Sequence, residues 1–161
     1  GRFVAMDCEM VGVGPEGERS VLARVSIVNF YGHVLLDTLV APTEPVTDYR
    51  THVTGITRQM LVGAPSFKEV QYQVASLLKD KVVVGHSIHN DFKVLFFTHP
   101  KGCVRDTSTW YPYRRLAQGP PSLRQLSAEL LGIQIQTGAH SSVVDARAAM
   151  LLYHKQRASW E

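Results

Sequence analysis

Two acidic residues stand two positions apart in "FVAMDCEMVGVG", near the beginning of the chain: Asp7 and Glu9. Their neighbours Phe3, Val4, Ala5, Met6, Met10, Val11 and Val13 predict an interior strand, and residues i and i+2 of a strand share a face. Side by side in a buried element, two carboxylates repel each other and lose their hydration, which costs several kcal/mol per ion unless positive charge compensates. The same misplacement recurs twice. In "GHSIHNDFKVLFF", Asp91 stands three residues after Ile88 and four before Leu95, in line with the apolar stripe of a helix. In "HSSVVDARAAMLL", Asp145 leads a stripe of Ala148, Ala149 and Leu152. Each acid alone has a structural explanation: a place in the first turn for Asp91, a capping box Ser142-x-x-Asp145, an ion pair from Asp7 or Glu9 to Arg24 of the next strand. All four together point to bound cations. Oxygen donors without cysteine partners select hard divalent ions, magnesium or manganese, over zinc. Two such ions balance four acids and suit phosphoryl transfer by in-line displacement. His140 precedes Asp145 in the loop before the helix, where an imidazole can swing over the site and serve as general base to a water.

The elements that must position these groups are legible in outline. The first strand is followed by turn chemistry in "GVGPEGERS". Next comes "VLARVSIVNF", whose alternation puts Val21, Ala23, Val25 and Ile27 on one face. "YGH" turns into a third strand, "VLLDTLVAP", and such short connections predict antiparallel neighbours. The period then becomes helical in "SFKEVQYQVASLLKD", with Phe67, Val70, Val74, Leu77 and Leu78 on one stripe and Ser66 as cap. "KVVVG" is a short strand, "IHNDFKVLFF" a helix and "GCVRDTS" a strand; "SLRQLSAELLG" and "SSVVDARAAMLLYHKQRA" are helices. The result is an α/β mixed sheet flanked by helices.

A chain of 161 residues, 45% apolar, suits one globular domain with a single sizeable core. It opens on Gly1 and stops at Trp160-Glu161, so residues 1–161 read as one domain excised from a longer chain. Cys8 and Cys103 form no disulfide framework or zinc spacing, which favours a reducing, intracellular setting. A net charge of +3 permits an anionic ligand such as nucleic acid. No apolar run reaches the length of a membrane span, and no signal peptide opens the chain.

Two lookalikes fail on context. Gly12, Gly14 and Gly17 spell G-x-G-x-x-G, but a dinucleotide-binding turn must open a helix and here a strand follows. "VVVGHSIH" resembles a nucleophile elbow at Ser87, yet His89 stands where the elbow needs glycine. A Ser87 hydrolase with His140 or His154 as base is the remaining serine alternative, and it would ignore a chelator.

"AMDCEMVGVGP", "GHSIHNDF" and "HSSVVDA" resemble the three motifs of the DEDDh (DnaQ-like) 3′-to-5′ exonucleases. The likeness is closer still to the eukaryotic Rex-type and interferon-stimulated RNA exonucleases. "TEPVTDYRTHVTGI", "RDTS" and "PSLRQLS" extend it over nearly the whole chain. The resemblance implies a ribonuclease-H-like fold with a five-stranded sheet ordered 3-2-1-4-5, only strand 2 antiparallel. It also implies that Asp7 bridges two metal ions, magnesium or manganese. Glu9 and Asp145 would hold the ion carrying the attacking water, Asp91 would support the second, and His140 would take the water's proton. The substrate would be the 3′ end of single-stranded RNA, with single-stranded DNA as a second candidate, and the product a nucleoside 5′-monophosphate. Ribosomal RNA maturation in the nucleus or nucleolus is the implied setting, with no membrane association. Met10 would lie by the terminal ribose, and Arg50 in "DYRT" would read the 2′-hydroxyl or hold a phosphate; a surface arginine paired with Asp48 is the plain alternative. These relatives usually read "HSSVED" where this chain has Val144. "TWYPYRRL" mixes aromatics and arginines but is equally a partly buried loop, and packing or capping is expected of His86 and Asp106. A catalytically silent RNA-binding or scaffold domain on the same fold is the alternative function.

Overall fold

A long antiparallel hairpin forms the spine of the molecule, which a computed structural model describes over residues 1–161. Its arms are β1 (Phe3–Val13) and β2 (Arg19–Asn29). They are followed by β3 (Val34–Leu39), β4 (Val46–Asp48), α1 (Thr51–Thr54), α2 (Phe67–Leu78), β5 (Val82–Gly85) and α3 (Ile88–Leu95). Then come β6 (Val104–Asp106), α4 (Tyr111–Arg114), α5 (Leu123–Leu126) and α6 (Ser142–Trp160). The strands lie in the order β3-β2-β1-β5-β6, with β4 on the far end of β1. With β4 set aside this is the expected 3-2-1-4-5 sheet, β2 alone running against the others. The sixth strand went unread because three residues are too few to show an alternation. It forms because β1 outruns β5 and leaves Gly12 and Val13 to pair with Asp48 and Val46.

Helices α2 and α3 cover one face, where Val70, Val74, Leu78, Ile88 and Leu95 pack on Val4, Met6, Val25 and Ile27. The Ser66 side chain accepts from the Glu69 amide and opens α2 as expected. The other face is covered by α6, whose Ala146 and Ala149 let it lie close to Ala5, Val28 and Val84 while Met150 and Tyr153 fill in beside them. Burial of Met150, at roughly 1.5–3 kcal/mol, helps hold the helix, and with it Asp145, against the sheet, while Leu152 packs on the side of Leu123 and Leu126.

Two local expectations are corrected. The β1–β2 register shifts between Glu9 and Met10, giving β2 one extra residue. This bulge flips the phase of β2, so Val25 and Ile27 join Leu22 on the α2–α3 face, whereas Ala23 packs with Val11 and Ile56. Strict alternation from Val21 to Ile27 therefore does not hold. At the start of α6 the cap is Ser141, which accepts from the Val144 amide; Ser142 is the first helical residue, so there is no Ser142–Asp145 capping box. The glycine triplet builds the hairpin: a Cβ on Gly12 would sit 2.3 Å from the Gly17 carbonyl oxygen, and Gly17 itself has φ +66.

Candidate active site

β1 and β5 pair only from Phe3 to Ala5, and β4 rejoins β1 at Gly12. Between these points β1 keeps a strand neighbour on one side only, and the acids gather along this gap. Asp7 and Glu9 point to the face that α6 covers, sharing it with Ala5. Asp145, in the first turn of α6, meets them there. Asp91 comes from α3 on the opposite face and reaches the gap past the open edge of β1. Its helix is anchored by Asp106 of β6, which accepts from the Ser87 and Ile88 amides as well as from the Ser108 amide and hydroxyl. Asp106 is thus a cap, as expected.

Glu9, His140 and Asp145 each present a ligand atom within 4.8 Å of the others. These three are the tight group. Asp7 lines the same cavity, of about 350 Å³, together with Met10, Arg50, His52 and Gln136. Asp91 lies outside it and lines an adjoining hollow of about 790 Å³ that shares Met10 and His86 with the first. Ser87 lines the larger hollow beside Asp91, while His140 lines the smaller one. His154 packs against Phe30, with ring centres 4.1 Å apart.

The electrostatics are those of acids short of positive charge. Burial first, then the charges of Asp91, Asp145 and Glu9, hold the Asp7 carboxyl well above the usual range. Burial and Asp145 push Glu9 to about 8 against a partial offset from Arg24. Burial, then Asp106 and Glu9, raises Asp91. Burial raises Asp145 too, opposed by a hydrogen bond from Gln136 and by His140. The Cys8 thiol, behind the acids, is pushed up by burial and then by Asp91. Arg24 does not neutralise Glu9, because its guanidinium is bonded to Asp37. Two buried acceptors, Asp91 Oδ2 and Asp145 Oδ1, have no hydrogen-bond partner at all. Hard oxygen donors, carboxyls that hold their protons for want of a counter-charge, and bare inward lone pairs fit divalent cations.

Gln136 is a residue that sequence reasoning missed. From "QTGAH", which has no periodicity to read, it donates to Asp145 Oδ2 at 3.1 Å and leaves Oδ1 free. Arg50 is not paired through its side chain with Asp48, whose carboxylate accepts from the Arg50 amide instead. The guanidinium binds the Ser20 hydroxyl and the Gly17 carbonyl, each at 2.9 Å, at the cavity margin. His86 bridges Thr107 and the Pro121 carbonyl, a packing role in line with expectation. "TWYPYRRL" packs behind α6, with Trp110 stacked on Trp160 and the Tyr113 hydroxyl on the Leu152 carbonyl. Arg50, Ser87 and Gln136, each beside the site, all adopt left-handed backbone with φ between 50 and 57.

Residues 4–153 match the family model described as RNase_T, exonuclease. The chain belongs to this exonuclease family. Among curated relatives it is 57% identical to an RNA exonuclease 4 of Cryptococcus neoformans, covering 100% of this chain and 40% of that one. It is 53% identical to the Mus musculus RNA exonuclease 4, over 99% of this chain and 37% of the other. The chain therefore spans about two fifths of the length of these relatives. Among solved structures, the Saccharomyces cerevisiae Pan2 pseudoubiquitin hydrolase-RNA exonuclease module in complex with AAUUAA RNA has a TM-score of 0.84 and 32% identity, over 98% of this chain and 29% of that one. The exonuclease family likeness thus extends over fold and sequence together.

Proposed function

We propose that this exonuclease-family chain is a cation-dependent 3′-to-5′ exoribonuclease that releases nucleoside 5′-monophosphates from single-stranded RNA, with single-stranded DNA as a second substrate. The observation that carries the reading is the convergence of Glu9, His140 and Asp145 within 4.8 Å beside acids whose inward oxygens lack partners. Glu9, Asp145 and Asp7 would hold one or both of two ions, Mg2+ or Mn2+, and Asp91 would support the second from the other side of the gap. Such ions supply Lewis-acid stabilisation of the charge that develops on the phosphoryl oxygens. The protein's own groups do the rest. His140, half-buried at the cavity mouth with its amide on the Val53 carbonyl, takes a proton from the attacking water. Gln136 fixes one oxygen of Asp145 and so aims the other. Met10 and Arg50 line the cavity where the terminal ribose would lie, and the anchored guanidinium is proposed to meet a 2′-hydroxyl or a phosphate.

The likeness to RNA exonuclease 4 and to an RNA-bound Pan2 module supports RNA over DNA. The proposed setting, by the Rex-type resemblance, is ribosomal RNA processing in the nucleus or nucleolus. No helix is long and apolar enough to cross a membrane. A silent RNA-binding domain on this fold would gain nothing from bare buried carboxylates, which only destabilise it. The test is a 5′-labelled RNA incubated with Mn2+ or Mg2+ and then with chelator. A ladder shortened from the 3′ end, halted by chelator and absent in Asp7→Asn, is expected. Degradation unchanged in Asp7→Asn would reject the mechanism.

A further inference from the structure

Arg24 stands between two carboxylates. In the register of the sheet it lies opposite Glu9 on β1, while the next residue on its face, Ser26, lies opposite Asp7 on one side and Asp37 of β3 on the other. Opposed residues of antiparallel strands share a face with Cβ atoms about 5 Å apart. Glu9, Arg24, Asp7, Ser26 and Asp37 therefore form one polar patch across three strands. Within that patch the guanidinium has a choice. It takes Asp37 with both prongs, Nε to Oδ1 and Nη2 to Oδ2, each at 2.9 Å, and forms no salt bridge with Glu9, its direct cross-strand partner.

Asp37 has a second attachment. Its Oδ1 accepts from the Ser26 hydroxyl at 2.9 Å, and Ser26 Oγ lies 2.6 Å from Ser142 Oγ. With the Ser26 proton directed at Asp37, the Ser142 hydroxyl is the donor of the second bond. Ser142 and Ser26 are both fully buried, and Ser142 opens α6. A single carboxylate on the edge strand thus controls the arginine nearest Glu9 and, through two hydroxyls, the start of the helix that carries Asp145.

We propose that Asp37 is a positioning residue that withholds Arg24 from Glu9, keeping the Glu9 oxygens open to a divalent cation while tying the start of α6 to the sheet. The proposal rests on the cation-dependent reading of the site. Its physical basis is that a guanidinium fork engages one carboxylate at a time in two-pronged fashion. Released from Asp37, the fork finds Glu9 as the adjacent anion and covers the oxygens a cation needs.

The experiment is calorimetric titration of Mn2+ into RNA-free protein at pH 8, for the wild-type chain, Asp37→Asn, Arg24→Ala and the double variant. Asn at position 37 keeps an acceptor for Ser26 while removing the charge. Asp37→Asn is expected to weaken Mn2+ binding about fivefold, the equivalent of the ~1 kcal/mol of a partly exposed ion pair. The double variant should return to within about twofold of wild type, and Arg24→Ala should bind at least as tightly as wild type. Unchanged affinity in Asp37→Asn overturns the proposal, as does a double variant no better than Asp37→Asn. If Asp37→Asn does not fold, Arg24→Ala decides, weaker binding than wild type being the overturning result. A wild-type protein that binds no Mn2+ rejects the cation-dependent reading itself, a different failure.

Discussion

Replacing Glu9 by Gln should make the cation-free protein more stable at alkaline pH while ending its function. The Glu9 carboxyl rises from an ordinary 4.5 to about 8 in the fold, so between these values the folded protein keeps a proton that the unfolded chain has released. Stability falls with pH wherever the folded state binds more protons. The loss therefore begins above pH 4.5 and is complete above pH 8. At ~1.4 kcal/mol per pH unit, the rise corresponds to ~5 kcal/mol. For a chain of this size, at roughly 3 °C per kcal/mol, the melting midpoint should drop by about 15 °C from this group alone. The assay is thermal unfolding in chelator from pH 4.5 to 8.5, for wild type and Glu9→Gln, with saturating Mg2+ added in a second series. The wild-type midpoint should fall with pH and recover with Mg2+, whereas Glu9→Gln should show a shallower fall and little recovery. Equal slopes for the two proteins, or a wild-type midpoint that climbs over this range, would refute the reasoning.

Three further outcomes are expected. His140→Ala should lower kcat by roughly 10²–10⁴-fold, the usual worth of a general base; a kcat equal to that of the wild type excludes His140 from that role. Arg50→Ala should raise KM more for RNA than for the matched DNA strand, measured with paired oligonucleotides, since the 2′-hydroxyl is the difference between them. Val144→Glu should raise the melting midpoint by a few degrees, because position 144 is the third residue after the Ser141 cap, the place of the reciprocal acid in a capping box, and a box of this kind contributes roughly 0.3–1.5 kcal/mol.

The acids were legible because each broke a pattern. Asp91 interrupts the stripe from Ile88 to Leu95, and the fold buries it to 4% exposure for the reason the spacing implied. What stayed hidden was decided across the sheet. Ser141 and Ser142 are chemically equivalent in sequence, and only the approach of Ser26 to Ser142 settles which one caps the helix. The pairing of Arg24 with Asp37 rather than Glu9 depends on β3 lying on the outer side of β2, which no local spacing encodes. The bulge opposite Glu9 is likewise invisible in a run of alternating apolar residues, yet it re-aims the strand beside the clustered acids. Gln136 could not be anticipated, since its loop has no period and its role is a single hydrogen bond.

The left-handed backbone at Arg50, Ser87 and Gln136 sets this protein's ruggedness against its activity. A side chain held in that conformation costs on the order of 1 kcal/mol relative to glycine. Glycine at any of the three would relieve the twist, and a selection for heat tolerance alone would reach such changes early. Each would also delete a side chain from the rim of the nuclease centre, whereas the same relief at Glu16 or Asp80, which share the conformation, would leave that rim whole.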